Sequence, residues 1–225
     1  MKKIGIIGAM PVEIEIIKNE LEDCFVENHG GVDYYIGKIK DVQVVLLACG
    51  IGKVNAAIYT QILIDQYSVD IIINTGVAGG LSNNIKHLSL VISKQLSYYD
   101  VRKIQMINCF PNQEFFKADA NLINLAAKIS KSNNLDYHIG TIISGEDFIS
   151  DTERKKELYQ SYKAICVEME GAAIAHTAFV NKIPFLVIRC ISDLSNEAST
   201  EDYKKFEKLA AYKSAKLVKE IIYHL

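Results

Sequence analysis

Apolar runs and helical patterns alternate along most of this chain of 225 residues. Short apolar runs that end in glycine or polar residues predict buried strands, while apolar residues three and four positions apart predict helices. The predicted strands span residues 4–8, 34–39, 42–48, 69–74, 90–95, 139–144 and 184–191. The predicted helices run from Pro11 to about Glu22, over 53–66, onward from a cap at Asp119, over 170–181, and onward from Ser199 and Thr200.

This order of elements predicts a mixed β-sheet flanked by helices, and the 225 residues suffice for one domain or at most two. The strands at 34–39 and 42–48 are expected to pair through a tight turn at Lys40 and Asp41. The polar and aromatic segment 97–117 lacks such a pattern and is predicted to be a long loop. A long loop inside a compact domain is more often functional than idle.

The charge balance and the cysteines exclude several classes of protein for this sequence. Acidic residues outnumber basic ones by 27 to 25, so no global positive field recruits nucleic acid or an anionic membrane. The five cysteines are widely spaced, and no pair has the spacing of a zinc or redox motif. No apolar stretch approaches the ~18 residues that span a bilayer, and no signal-peptide cleavage site follows the apolar N-terminus. We therefore expect a cytoplasmic protein in a reducing compartment.

Common cofactor motifs are incomplete in this sequence. Gly5 and Gly8 follow a predicted strand but lack the third glycine and the later acid of a dinucleotide site. The run Gly50-Ile51-Gly52-Lys53 lacks the Ser or Thr and the glycine spacing of a phosphate-binding P-loop. It is predicted to be a tight turn before a helix, or a turn whose backbone approaches a small ligand. The five histidines lack metal-ligand spacing, so we expect neither a metal nor a cofactor.

Carboxylates at distant strand ends are the candidate catalytic groups. Glu168 and Glu170 stand one residue apart after an apolar run, so their side chains project differently and are expected to do different jobs. Glu13, Glu170 and Asp193 each follow an apolar, strand-like run, and the ends of strands are where α/β sheets bind ligands. If these three acids converge, their pKa values spread, and one donates a proton while another accepts one. Otherwise each is an independent acid at the start of a helix.

Six segments, in this order, resemble the bacterial 5′-methylthioadenosine/S-adenosylhomocysteine nucleosidases of the nucleoside phosphorylase superfamily. These segments are residues 4–10 with Glu13, 50–56, 73–80, 144–149, 167–170 and 189–193. Together they run from the first strand almost to the last helix. The resemblance implies a single-domain three-layer α/β sandwich with a mixed central sheet. It also implies a homodimer that hydrolyses the N-ribosidic bond of a small nucleoside and releases adenine without a cofactor.

The resemblance also implies roles for individual residues. Glu13 takes the position of the acid that activates water, and Asp193 that of the acid that protonates the purine. Glu170 and Met169 take the position of the ribose-binding pair, and Arg189 lies beside the water-side acid. The remaining substrate-binding positions implied are Met10, Ile51, Phe148, Ile149, Ser192 and Tyr203, with Phe148 and Ile149 in the adenine segment and Tyr203 closing the pocket.

This sequence departs from the family pattern at two places, and these affect which of the family's properties are expected here. Val77 stands where the family often has a hydroxyl residue, so any side-chain hydrogen bond from that position is lost. Residues 98–103 replace a longer family stretch that lies near the 5′-substituent, so substrate range is the least determined property. The apolar residues of 97–117 are expected to lie in a two-fold interface close to both active sites. The alternative is that they fold back onto their own subunit.

Two other functions stay open at this point. A purine nucleoside phosphorylase on the same fold must hold a phosphate dianion beside the anomeric carbon. A carboxylate such as Glu13 in that place would repel the phosphate, which favours hydrolysis. A nucleoside-binding sensor would keep the pocket without turnover, but binding alone does not require a poised general acid.

Overall fold

Strands and helices alternate in the computed structural model, which describes residues 2–194 and 199–225. The strands are β1 (Lys3–Gly8), β2 (Glu22–His29), β3 (Val32–Ile39), β4 (Val42–Ala48), β5 (Ile71–Gly80), β6 (Leu90–Tyr98), β7 (Phe116–Lys117), β8 (Tyr137–Ser144), β9 (Cys166–Glu168) and β10 (Phe185–Asp193). The helices are α1 (Pro11–Lys18), α2 (Lys53–Tyr67), α3 (Lys103–Asn108), α4 (Ala120–Ser132), α5 (Thr152–Tyr162), α6 (Gly171–Val180) and α7 (Ser199–Ile222).

The strands of the described chain form one mixed sheet that closes on itself at one side. β5 pairs in parallel with β1 and β10, and its last two residues pair with β9. From β10 the sheet continues through β6 and β8 back to β9, so β5, β10, β6, β8 and β9 close a ring. From β1 it extends outward through β4 and β3 to the edge strand β2. The mixed sheet predicted from the sequence is therefore confirmed.

Helices cover both faces of this sheet, because successive strand residues alternate between two apolar clusters. Ile7, Leu47 and Ile72 belong to the cluster on the side of α2 and α6. Their chain neighbours Ile6, Leu46 and Ile73 belong to the cluster on the side of α1, α4 and α7. The period of two places one hydrophobic set on each face of the strands. This arrangement confirms the α/β fold with a mixed sheet between helices.

Local signals in the sequence account for the helix starts. Pro11 occupies the first turn of α1, where its missing N–H is not needed. Asp119 caps α4 as expected, since its carboxylate accepts the N–H groups of Asn121 and Leu122. No helix in the described ranges is long and apolar enough to cross a membrane.

The structure differs from the sequence-based expectation in several places, and the strand β2 and the helix α5 lie where the sequence predicts no element. α1 ends at Lys18 rather than near Glu22, because the edge strand β2 begins at Glu22 and is exposed on both faces. β5 continues past residue 74 to Gly80, which carries the strand into the site. The 97–117 segment is not one loop, since it holds the end of β6, the helix α3 and the short strand β7.

Candidate active site

A cavity of about 450 Å³ opens at the carboxyl ends of β1, β5, β9 and β10. Parallel strands place ligand sites at this edge, as the sequence predicted. Its lining residues are Ala9, Met10, Glu13, Ile51, Val77, Ala78, Gly79, Phe148, Val167, Glu168, Met169, Glu170, Ser192, Asp193 and Tyr203. The three candidate acids therefore converge, although they are far apart in the sequence.

Glu13 is buried in the first turn of α1 and held by three backbone N–H groups. Its Oε2 accepts the N–H groups of Ala9 at 2.7 Å and Met10 at 2.9 Å, and its Oε1 accepts that of Val77 at 3.0 Å. Burial raises the pKa of Glu13, which Arg189 and these hydrogen bonds only partly oppose. The residue at position 77 thus acts on Glu13 through its backbone, so its missing hydroxyl leaves this contact intact.

Arg189 lies beneath the cavity and binds the acid at position 168. Its Nη2 forms a close ion pair with Glu168 Oε2 and lies 3.7 Å from Glu170 Oε2. Burial disfavours the guanidinium charge, but Glu168, Glu170 and Glu13 outweigh that effect and raise the pKa of Arg189. Glu168 also accepts a close hydrogen bond from Ser144 and the N–H of Gly171 at 2.7 Å. Its carboxylate therefore has a structural role that Glu170 does not share.

Glu170 faces the cavity from the start of α6. Its Oε1 accepts the N–H of Gly52 at 2.9 Å, which ties it to the turn before α2. Burial, and next the charge of Glu168, raise the pKa of Glu170 to about 8. The two acids of the 167–170 segment thus do different jobs, as their spacing predicted. Glu170 keeps Oε2 toward the cavity side of Arg189, where the hydroxyls of a sugar could donate to it.

Asp193 closes the other end of the cavity. A register shift in β10 between Ile191 and Asp193 places it beside Gly79 of β5, where an added Cβ would lie 2.9 Å from Asp193 Oδ2. Its Oδ1 accepts the hydroxyl of Ser192 at 3.0 Å. Its Oδ2 accepts the Nζ of Lys155 at 2.7 Å, from α5. Both carboxyl oxygens are therefore fixed by neighbouring side chains.

Apolar side chains form the walls between these acids. The rings of Phe148 and Tyr203 lie 5.5 Å apart at 74°, and the Tyr203 hydroxyl lies 3.8 Å from the sulfur of Met10. Ile51 and Met169 complete the wall, and Ile51 is half exposed at the mouth. A flat aromatic ring fits such a wall, with polar groups reserved for its edges.

Nine of the eleven residues expected at the site line this cavity: Met10, Glu13, Ile51, Phe148, Met169, Glu170, Ser192, Asp193 and Tyr203. The structure places Arg189 behind the acids, where it is buried. Ile149 lies outside the main cavity and lines an adjoining cleft of about 30 Å³. It packs instead against the small apolar cluster around Tyr99 and Leu158.

Several groups that shape the site were missed from the sequence. The sequence indicates no partner for Glu168, because its pairing with Arg189 follows only from the registers of β9 and β10 against β5. Lys155 lies in a polar, lysine-rich helix whose composition is typical of a solvated surface. Tyr99 was assigned to a loop, yet its hydroxyl contacts both the N–H and the carbonyl of Asp147, next to Phe148. Its ring also packs against Gly145, where a Cβ would collide with it.

A larger cavity of about 600 Å³ lies along α1 and β3. Its charged side chains, Glu15, Lys18, Asp33 and Lys208, are of mixed sign and lie at an open surface. Buried acids converge on the smaller cavity instead, so volume alone does not identify the site.

Comparison with known proteins agrees with this geometry. The family model of the phosphorylase superfamily matches residues 3–223. The 5′-methylthioadenosine/S-adenosylhomocysteine nucleosidase of Maridesulfovibrio salexigens is 36% identical over 99% of this chain and 100% of its own. That of Haemophilus ducreyi is 38% identical over 96% of this chain and 95% of its own.

A solved structure of such a nucleosidase has the same fold as this chain. The nucleosidase of the same name from Neisseria meningitidis, in complex with methylthio-immucillin-A, superposes with a TM-score of 0.94 and 34% identity, covering 100% of both chains. These matches confirm the resemblance drawn from the six sequence segments. The chain belongs to the phosphorylase superfamily and, within it, to the family of the 5′-methylthioadenosine/S-adenosylhomocysteine nucleosidases.

Proposed function

We propose that this protein hydrolyses the N-ribosidic bond of 5′-methylthioadenosine, S-adenosylhomocysteine or both, and releases adenine. One observation carries the proposal: the carboxyl groups of Glu13 and Asp193 are both buried and both line one cavity. Glu13 lies beside Gly76 and Asp193 beside Gly79 of the same strand. Three residues of extended strand span about 10 Å, which leaves room for a sugar and a purine between the two acids.

The two acids suit the two ends of the bond that breaks. As the bond between the anomeric carbon and the purine nitrogen lengthens, the sugar becomes an oxocarbenium-like cation. Asp193 transfers its proton to a ring nitrogen of the departing adenine, which then leaves as a neutral base. Glu13, as a carboxylate, accepts a proton from the water that adds to the anomeric carbon. The products are adenine and the 5-substituted ribose.

Glu170 and the apolar wall hold the nucleoside in place for this reaction. The Glu170 carboxylate accepts hydrogen bonds from ribose hydroxyls beside Met169, and these bonds strengthen as positive charge develops on the sugar. Phe148 lies against the purine, and Tyr203 covers it from α7. Arg189 balances the charge of the acids from beneath the cavity.

Water rather than phosphate is the acceptor in this proposal. A phosphorylase needs cationic or N–H donors for a dianion beside the anomeric carbon. Here the N–H groups of Ala9, Met10 and Val77 already bind the Glu13 carboxylate. Arg189 is likewise engaged by Glu168. A phosphate ion in this place would meet the negative charge of Glu13.

The test measures adenine released from 5′-methylthioadenosine in phosphate-free buffer. We expect turnover, 5-methylthioribose as the second product, and no rise in rate with added phosphate. A rate that rises with phosphate and yields the sugar 1-phosphate would establish the phosphorylase instead. Tight binding of the nucleoside without adenine release would establish the sensor. A panel that varies only the 5′-substituent then ranks the substrates.

The proposal includes a homodimer, in which a second copy covers the mouth of the cavity. Exposed apolar side chains occur on three neighbouring elements: Ile51, Val54 and Ile58 at α2, Ile104, Ile107 and Phe110 around α3, and Phe179 and Val180 at the end of α6. An ion pair between Lys53 and Asp100 joins the first two elements, and α2 packs against α6. Tyr98, Met106 and Phe116 of the 97–117 segment are instead buried in their own chain.

Sedimentation at micromolar concentration tests the dimer. Ile58→Glu is expected to yield a monomer with reduced activity, because it places a charge in the apolar patch. Leu209→Glu is the matched control, since Leu209 is as exposed but lies on α7, on the opposite face of the sheet. A fully active monomer would refute the dimer without affecting the proposed chemistry.

The proposal further places the protein in the cytoplasm, acting as one domain over residues 1–225. All five cysteines are free thiols, three of them buried, which suits a reducing compartment. The strands that close the ring, β5, β6, β8, β9 and β10, span residues 71–193, and β1 at the start of the chain pairs with β5, which favours one folding unit.

A further inference from the structure

A buried ammonium group stands directly behind the proposed general acid. Lys155 is 0% exposed, although it lies on α5, whose other lysine, Lys156, points to the surface. Its Nζ donates to Asp193 Oδ2 at 2.7 Å and to the carbonyl of Leu194 at 2.7 Å. Burial of a lysine charge is costly unless a partner compensates it, so this placement requires a reason.

Stability of the fold gives no sufficient reason. A buried ion pair is often no more stable than apolar residues of the same volume, because both charges lose their hydration. The same helix buries Leu158 in the apolar cluster around Tyr99 without any charge. The ammonium group lies at the carboxyl end of β10 and contacts the acid that must release a proton. This position indicates a role in the reaction.

We propose that Lys155 is a positioning residue for the general acid: it fixes the Asp193 carboxyl group and stabilises the carboxylate that remains after the proton has passed to the purine. This inference rests on the proposed function. Asp193 begins the step as a neutral acid; its O–H bond breaks, a N–H bond forms on the purine ring, and Asp193 ends as a carboxylate. Lys155 keeps its own protons and its positive charge throughout.

Among residues 2–194 and 199–225, the other groups around Asp193 cannot replace this charge. Cys166 faces Asp193 from β9 and Tyr203 from α7, and burial raises the pKa of both groups, so they are neutral at working pH. Ser192 donates a neutral hydroxyl hydrogen bond. Glu13 and Glu170 face the cavity as acids. Lys155 therefore supplies positive charge at the purine end, as Arg189 does at the sugar end.

The experiment compares Lys155→Met with wild type and with Lys156→Met, the matched control on the same helix. Adenine release from 5′-methylthioadenosine is followed between about pH 5 and pH 10. We expect kcat of Lys155→Met to fall by about tenfold or more, within the ~10²–10⁴ range of general-acid catalysis. KM should change by less than about threefold, because Lys155 acts on the transfer rather than on binding.

The pH profile distinguishes this role from a purely structural one. An opposite charge within ~4–6 Å favours the ionised form of an acid by about one to three pH units. The alkaline limb of the kcat profile of Lys155→Met should therefore move to higher pH by about one unit or more, whereas Lys156→Met should match wild type.

Lys155→Gln separates the effect of the charge from that of the hydrogen bonds. If Lys155→Met does not fold, Lys155→Gln alone tests the inference. Glutamine can donate to Asp193 and Leu194 but carries no charge, so it should show the same lower kcat and shifted limb. Wild-type kcat in Lys155→Gln, or a lower rate with an unmoved alkaline limb, would overturn the inference. Failure of the wild type to release adenine would instead refute the proposed function itself.

Discussion

Glutamine in place of Glu170 should stabilise the fold and weaken catalysis at the same time. The Glu170 carboxyl group is buried, lies near the Glu168 carboxylate, and has its pKa raised to about 8 from 4.5. Glutamine has the same shape, remains neutral at every pH, and can still accept the N–H of Gly52. Below about pH 8 the folded state keeps this carboxyl group mostly protonated, whereas the unfolded chain ionises it above about pH 4.5, so glutamine removes a cost of folding. Glutamine also removes the carboxylate to which the ribose hydroxyls would donate.

The size of the effect follows from the change in pKa. The folded-state pKa of Glu170 lies above the unfolded value. The protonated group therefore makes its full contribution to the stability of the fold below pH 4.5, and this contribution is lost as the pH rises through about 8. One pKa unit corresponds to about 1.4 kcal/mol. The free energy of unfolding of the variant should exceed that of the wild type by little at pH 4.5, by about 3 kcal/mol at pH 7 and by about 5 kcal/mol at pH 9.

Thermal unfolding at fixed protein concentration measures this gain. For a domain of 225 residues, a gain of 3 kcal/mol corresponds to a rise in Tm of about 6–12 °C near pH 7. Adenine release should fall, with kcat lower and KM higher. Glu22→Gln on the exposed edge strand is the control and should show no pH-dependent gain. A variant no more stable than wild type at pH 9, or a gain that is constant with pH, would refute the reasoning.

Three further outcomes are expected. Because burial raises the pKa of Glu13 above 4.5 in the free enzyme, kcat/KM should fall on the acid side as the pH drops through that higher value, and an acid limb of kcat/KM centred at or below 4.5 would contradict this. Tyr99→Phe, which removes the hydroxyl bound to Asp147, should raise KM several-fold with little change in kcat in steady-state assays. Gly76→Ala should reduce kcat by about tenfold or more while Tm stays measurable, since its Cβ would lie 2.6 Å from Glu13 Oε1 and 2.8 Å from Arg189 Nη1.

The sequence predicts the sheet well where strands are buried on both faces. The runs at 4–8, 42–48 and 184–191 are mostly apolar, interrupted only by Gln43 and Arg189, and each appears as a strand close to its predicted bounds. The edge strand β2 groups its acidic and apolar residues without alternation, and both of its faces are exposed, so no buried face marks it. The closure of the ring depends on the pairing of β10 with both β5 and β6, which no local pattern encodes.

The same contrast holds within the candidate site. Glu13, Glu170 and Asp193 stand at strand ends beside glycine-rich or polar turns, and that local context marked them as candidates but left open whether they converge, which the structure shows. The partners that tune them are set by packing. Lys155 lies in a helix that is polar overall, and only the approach of α5 to the end of β10 buries its ammonium group. Sequence periodicity predicts which face of a helix is buried, but it does not predict which charged group that face contacts.

Asp193→Asn tests the central claim most directly, because asparagine keeps the shape and the hydrogen bonds of the acid but has no proton to transfer. The measurement is adenine release from 5′-methylthioadenosine by wild type and variant, with nucleoside binding followed by calorimetry. Turnover should fall by about 10²–10⁴-fold while binding stays measurable. A variant that releases adenine at the wild-type rate would contradict the assignment of Asp193 as the group that protonates the purine.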